Sequence, residues 1–501
     1  MDELPLDIIS LESGRAIDRA AIEQAGIPGY TLMTLAAQAA LRECLAFFPD
    51  RRRWQIVCGA GNNAGDGYVL ARLARQSGIE VSVRYLSDPA ALTGDAAQAY
   101  ADFAASGAEA RVWEGQLDEQ AELIVDAILG SGLDRDVGGA FADAINAINA
   151  HPAPVVAIDI PSGIHGESGK RLGTAIEAAL TVCFVSLKPG LFLADGIAAT
   201  GRLRFDGLGI PQNCRAQADV VMRRIDEQQL HAALPPRRKD ANKGDFGHVI
   251  VIGGGRGMPG AVRLCAEAAL RTGAGKVSVA TWPGHADALL AACPELMVHG
   301  VEKAEQLLPL LDSADVIAFG PGLGRSAWSE NLYAQVAGQG LPAVWDADAL
   351  NLLAAQPEGS RAANVGPRII TPHPGEAARL LNLTSRAVQD DRLTSVQSLQ
   401  REYGGVAVLK GAASLVATAN AVPLVCTAGN PGMATAGMGD VLTGVIAALL
   451  AQGLPLESAA PMGVLAHALA GDRAARQGER GMLASDLLRE LRAVVNGQRD
   501  D

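Results

Sequence analysis

The stretch NPGMATAGMGDVLTG, near the C-terminus, puts an acid where a transfer reaction could use it. Gly437 and Gly439 precede a helix expected from about Asp440. Successive backbone N–H groups at such a turn form a nest for an anion such as a phosphoryl group in transfer. A carboxylate at the helix start could take the proton of an attacking hydroxyl. The same residues also fit a plain glycine turn with an Asp cap.

A second concentration of polar groups is CGAGNNAGDG, residues 58–67, between the apolar run WQIV and the helical pattern YVLARLARQSG. It contains Gly59-x-Gly61-x-x-Ala64, close to a dinucleotide fingerprint, which alone is equally a strand-to-helix turn. Glycines at 59, 61, 65 and 67 are expected to let the backbone approach a phosphate at the helix N-terminus. A redox-cofactor loop has no need of Asn62, Asn63 and Asp66, which could coordinate a hard cation or grip a sugar and phosphate. Two later segments offer matching oxygens at strand ends: Asp126 in IVDAILGSG, and Asp159 and Ser162 in AIDIPSG. Any one Asp could be a helix cap. Three glycine-bearing loops with acids point instead to one crevice, because strand C-termini of an open parallel sheet meet there.

The elements that would position these groups follow from alternation. WQIVCG, VSVRYL, ELIVDA, PVVAID and TVCFV are short apolar runs separated by helical patterns, which is a parallel sheet with crossovers. The rhythm breaks between about Arg215 and Gly244, where LPPRRKDANKGD reads as a linker or domain edge. A second series follows, from GHVIVIGGG through KVSVAT, SADVIAFGPGLG, PAVWDADALNLL and RIITPHPGEAARLL to VAVLKGAASLVAT. At 501 residues the chain is too long for one core, so two domains are expected, 1–220 and 221–501. The halves share a style but no repeated motif.

A net charge of −13 speaks against a nucleic-acid partner. Seven scattered cysteines without a C-x-x-C pair suit a reducing cytoplasm rather than disulfides or zinc. The start MDELPLDIIS lacks a signal pattern, and no apolar run has the ~18 residues of a membrane span, so no membrane partner is expected.

CGAGNNAGDG, VDAILGSGLDRD and AIDIPSGI, in this order, resemble the NAD(P)H-hydrate epimerase domain. The second half resembles the NAD(P)H-hydrate dehydratase domain, and its G-x-G-D is similar to the anion hole and base of ribokinase-like enzymes. Together they resemble the bacterial bifunctional NAD(P)H-hydrate repair enzymes over nearly the whole chain. The resemblance implies an α/β protein: a Rossmann-like parallel sheet with helices on both faces, then a ribokinase-like α/β domain.

It further implies that Asn62, Asn63, Ala64, Gly65 and Asp66, the loop Gly130, Ser131, Gly132, Leu133, Asp134, Arg135, Asp136, and Asp159 face the hydrated nicotinamide nucleotide. Asn63, Asp126 and Ser162 would bind potassium. In the second half, Ala261, Gly322, His373 and Asp440 would touch the same kind of substrate. Lys410, Gly411, Ala412, Ala413, Ser414 and Gly439 would hold the adenine nucleotide, with magnesium on its phosphates. The family usually has Gly where this chain has Ala64, and an acid after LM with a Gly near Ala37. Asp346 and Asp348 are left outside the site, one as a helix cap, and Lys188 in SLKPG could be a cationic contact but reads first as a solvated surface lysine. On its own residues, His373 also reads as a loop histidine bonded to local backbone.

The implied chemistry has two parts. Interconverting R and S hydrates needs a group that takes and returns a proton, for which Asp159 is the candidate. Dehydrating the S form needs a better leaving group than hydroxide. Phosphorylation supplies one, with Asp440 as base and ADP as donor; the choice of ADP over ATP comes from the resemblance alone. The substrates would then be hydrated NADH, hydrated NADPH and ADP, in a cytoplasmic homo-oligomer. The competing expectation is a ribokinase-type small-molecule kinase with a regulatory first half.

Overall fold

A computed structural model describes residues 4–357 and 366–497. The acidic Met1–Glu3 and the last residues of the expected second domain lie outside the described residues. The chain separates into two compact units, Met1–Met222 and Arg223–Asp501.

In the first unit seven strands lie side by side in the order Ala110–Val112, Glu80–Tyr85, Arg53–Cys58, Leu123–Ala127, Val155–Ile158, Leu180–Phe184, Arg202–Asp206. All pairings are parallel. The chain starts in the middle, works outward one way, then returns and works outward the other way. The reversal lies between Arg53–Cys58 and Leu123–Ala127, so the loops leaving these two strands diverge and open a crevice. The strands are apolar on both faces because both are covered: Ile56, Val125 and Ile158 join the core beneath helices Gly29–Phe47 and Asn62–Gln76. Val57, Ile124 and Ala157 pack with Ile145 and Ile148 of helix Gly139–Ala150 on the other side.

The second unit has the same winding. Its strands run Leu424–Val425, Leu415–Ala417, Val406–Leu409, Arg368–Ile370, Ala343–Trp345, Val316–Phe319, His248–Ile252, Lys276–Thr281, Met297–Gly300. They are parallel from Val406–Leu409 to Met297–Gly300, and antiparallel among the three at the other edge. The reversal falls between His248–Ile252 and Val316–Phe319, at the glycine loops GGG and GPGLG. Helices Pro259–Thr272, Met438–Ala451, Leu456–Ala474 and Ala484–Val495 cover one face in a single apolar core.

The stretch 215–244 is more than a linker. Strand Val220–Arg224 and helix Glu227–Ala233 occupy part of it. Arg223 and Arg224 pair with Leu424 and Val425, and Leu230 is fully buried. The charge cluster hid these short apolar anchors. All seven cysteines are buried and free, and no described helix is long and apolar enough to cross a membrane.

Candidate functional site

The crevice of the first unit is a cavity of about 580 Å³. The segment read as a loop, Asn62 to Asp66, is the first turn of helix Asn62–Gln76, capped by Gly61 at φ 78°. The helix N-terminus therefore opens at the cavity, as an anion site requires. The glycines divide their work differently from expectation. A Cβ on Gly59 would lie 1.9 Å from the Ile128 carbonyl oxygen, and one on Gly67 would lie 2.6 Å from Ala127 Cβ. One on Gly65 would meet Met33 Sδ at 2.8 Å. These three let the switch-point strands and helices close up, and only Gly61 supplies the turn itself. Ala64 is buried in the core rather than facing the cavity.

Asn62, Asn63, Asp66, Asp159 and the run Gly130 to Arg135 line the cavity. Exposed Asp136 is not among the lining residues. Asp126 and Ser162 lie fully buried next to it. Ser162 Oγ donates to Asp126 Oδ1 at 2.6 Å and accepts from Leu129 N at 2.8 Å, while Ser162 N donates to Asp126 Oδ2 at 2.8 Å. Burial pushes the Asp126 carboxyl up to about 6 against the hydrogen bonds from Ser162 and Ile128. Asn63 packs beside Gly130 and is 7% exposed, yet its Oδ1 and Nδ2 have no partner among the described residues. An orphaned buried amide is costly, so Asn63 Oδ1 fits a ligand such as a hard cation.

Lys188 is not a surface lysine. It is 7% exposed, and its ammonium donates to Asp159 Oδ1, to Phe184 O at 2.9 Å and to Cys183 Sγ at 3.4 Å. A lysine among apolar residues in sequence gives no hint of an acid brought from another strand end. Asp159 itself has φ 69°, a left-handed conformation that typically costs about 1–3 kcal/mol in a residue with a side chain. Three further lining groups, Leu11, Arg15 and Asp18, come from helix Leu11–Glu23. Their three- and four-residue spacing marks one helical face, but nothing in that spacing says what the face meets.

In the second unit, helix Met438–Ala451 begins just before the expected Asp440, with Gly437 at φ 90° as its cap. The helix dipole favours an ionised Asp440, but the surroundings win: burial raises its carboxyl to about 7, Asp346 adds repulsion, and Lys410 opposes. Asp346 belongs in the site after all. It is 1% exposed, bound by Lys410 Nζ at 2.5 Å and by Thr443 Oγ1 at 2.9 Å. Burial works against its charge, but Lys410 and the hydrogen bonds outweigh it and hold the carboxyl below the usual range. Glu376 lies 3.8 Å from the same ammonium, and burial raises its carboxyl. Lys410 thus turns its side chain into an acidic cluster while its backbone starts the KGAAS loop. A Cβ on Gly439 would stand 3.1 Å from Lys410 Nζ and 3.4 Å from Asp346 Oδ2, so the glycine turn sits directly over this pair.

The KGAAS loop is fastened from behind. Arg392, 5% exposed, donates to the carbonyls of Leu409, Lys410 and Ala413. Ser414 Oγ closes the loop on Gly411, leaving Gly411 and Ala412 exposed and Ala413 buried. Gly322, at φ 56°, packs on Ala261: a Cβ there would meet the Ala261 Cβ at 2.9 Å. His373 caps helix Pro374–Leu380 by accepting from Gly375 N at 3.0 Å through Nδ1, and burial and Lys410 push its pKa down. Asp348, at the start of its helix, accepts from Gly324 N at 2.8 Å and steadies GPGLG.

The family described as NAD(P)H-hydrate dehydratase matches residues 249–493, and that described as YjeF-related protein N-terminus matches 29–190. Both halves are matched together by a bifunctional NAD(P)H-hydrate repair enzyme of Coxiella burnetii, 46% identical over 96% of this chain and 98% of its own. An Escherichia coli protein of the same name is 44% identical over 97% and 93%. The chain belongs to the bifunctional NAD(P)H-hydrate repair enzymes.

Among solved structures, a ribokinase-like superfamily protein from Enterococcus faecalis shares 33% identity, covering 55% of this chain and 96% of its own, with a TM-score of 0.51. An ADP/ATP-dependent NAD(P)H-hydrate dehydratase from Bacillus subtilis, co-crystallised with ATP and magnesium, shares 26% over 55% and 98%, with a TM-score of 0.50. Membership across both halves removes the ground for a kinase with a merely regulatory first half. In this repair enzyme Lys188 and Asp346, which the sequence reading sets outside the site, and Glu376, Thr443 and Arg392, to which it gives no role, act as partners of the site acids and loops. Two local signals point to members of this group: Thr443 stands in the NPGMATAGMGDVLTG stretch itself, and Glu376 completes the His373-x-x-Glu376 spacing of a capping box.

Proposed function

We propose that the first unit interconverts the R and S hydrates of NADH and NADPH, and that the second dehydrates the S form with ADP, releasing AMP and phosphate. The observation that carries the second step is Asp440: a carboxyl poised near neutrality on a glycine turn, beside an ion-paired lysine. The substrate hydroxyl would attack the terminal phosphorus of ADP and pass its proton to Asp440. N–H groups of the Gly437–Gly439 turn would hold the moving phosphoryl. The ring nitrogen then expels phosphate, and loss of the neighbouring ring proton restores the dihydropyridine. Gly411 to Ser414 and Gly439 would carry the nucleotide; Ala261, Gly322 and His373 would face the hydrated one.

Magnesium would sit mainly on the nucleotide phosphates. In the first unit Asn63, Asp126 and Ser162 would hold potassium, whose charge would favour a phosphate or oxyanion at the cavity. The reading extends to a cytoplasmic homo-oligomer; the free buried cysteines suit that compartment.

Incubation with hydrated NADH and ADP tests the whole. Recovery of NADH absorbance with AMP formation is expected, whereas a stable phosphorylated product would favour a kinase and no turnover would leave only a binding protein. Asp126→Ala is expected to slow epimerisation ~10-fold or more and to weaken its potassium dependence, since a charged hydrogen-bonded ligand is worth about 1.5–3 kcal/mol. Dehydration of pure S hydrate should be unchanged. Wild-type epimerisation by this variant in potassium-free buffer would place the ion elsewhere.

A further inference from the structure

We propose that Lys188 is a positioning residue of the first-unit cavity, which holds the Asp159 carboxyl in place at the cavity wall. The proposal rests on the reading of this unit as the epimerase and deepens it. Four elements bring titratable groups to one side of the cavity. Asp18 comes from helix Leu11–Glu23, Asp66 from helix Asn62–Gln76, and Asp159 from the end of strand Val155–Ile158. Lys188 follows strand Leu180–Phe184, which also carries the thiol of Cys183. Arg15 and Arg135 line the same cavity further along, and Arg19 and Arg215 act on Asp18.

Among these acids only Asp159 has a cation in contact. It takes the Lys188 ammonium on Oδ1, and Phe184 N also points to that oxygen at 3.4 Å. No hydrogen bond or ion pair among the described residues reaches the carboxyls of Asp18 or Asp66. Burial raises Asp18 to about 6 and pushes Asp66 well above the usual range, and Asp159 repels both. Of the three carboxyls, the Lys188 ammonium makes its contact with Asp159 alone and so fixes that one in position.

The role of Lys188 follows from its donors. An ammonium has three, and here they go to Asp159, Phe184 O and Cys183 Sγ. None is left for substrate, so Lys188 acts through Asp159. The reaction needs a carboxyl fixed in place. As the ring nitrogen pushes out the hydroxyl, the C–O bond breaks and Asp159 gives the leaving oxygen the proton that makes it water. When water adds to the other face, a new C–O bond forms and the proton it sheds passes back to Asp159, which resets the carboxyl.

The test uses the full chain. R–S interconversion of hydrated NADH is followed from pH 5.5 to 9, with dehydration of pure S hydrate as a control for folding. Lys188→Met is expected to lower kcat for epimerisation at neutral pH by ~10-fold or more with little change in KM, because the carboxyl loses the charged hydrogen bond that holds it while the substrate contacts remain. Lys188→Arg, which keeps the charged donor, should restore most of the rate. Equal losses in both variants would overturn the proposal, as would an unchanged Lys188→Met. A wild-type chain that does not interconvert R and S would instead overturn the reading of the unit.

Discussion

Asp440→Asn is expected to lose conversion of S hydrate to NADH by ~100- to 10,000-fold, the usual range for removing a general base. The amide keeps the size of the side chain, so helix Met438–Ala451 should still form on its glycine cap. ADP binding should change little, because the KGAAS loop is held by Arg392 and Ser414 rather than by Asp440. Epimerisation in the same sample should continue, a split that global unfolding cannot produce. The raised carboxyl adds a pH signature. Below about 7 Asp440 holds its own proton and cannot take another, so kcat/KM for dehydration should fall as pH drops through that value. Asp440→Asn should flatten this limb. Near-normal dehydration by the variant would make Asp440 a structural cap and move the base elsewhere.

Lys410→Met should act by a different route. It removes the one cation bonded to Asp346, which is 1% exposed, and faces Glu376 at 3.8 Å. Breaking one side of a buried ion pair costs about 3–5 kcal/mol, because the charge left behind has neither water nor partner. At about 2–4 °C per kcal/mol, the melting temperature of the second unit should drop on the order of 10 °C. Dehydration should fall as well, since the pair supports the turn that carries Gly439 and Asp440. Adding Asp346→Asn should recover part of the lost stability, because it removes the orphaned charge. A scanning-calorimetry trace within ~1 °C of the wild type would refute the structural role of the pair, and a double variant no better than the single would refute its electrostatic origin. Epimerisation, measured below the melting range, serves as the internal control.

The contrast between these residues explains what was legible beforehand. Asp440 announces itself because its neighbours in sequence are also its neighbours in space: glycines, acid and apolar helix are contiguous. Asn63, Asp126 and Asp159 were legible as neighbours for the related reason that each sits at or just beyond the C-terminal end of an apolar run, and a parallel sheet gathers those ends. Lys188 and Asp346 carry no such mark. Lys188 looks like any loop lysine until strand Leu180–Phe184 is laid beside Val155–Ile158. Asp346 looks like a helix cap until Val406–Leu409 brings Lys410 to it across Arg368–Ile370.

The sequence by itself determined the two wound α/β units, the switch-point crevices and the acids around them, because hydrophobic period, glycine turns and strand-end motifs are local properties. It also determined the family, through motifs that stand in fixed order. Only the tertiary structure decided what surrounds these acids and what holds them. Burial, repulsion between carboxyls and the reach of an ammonium from another strand depend on groups far apart in the chain; together they raise the Asp440 carboxyl and give Asp159 its lysine partner.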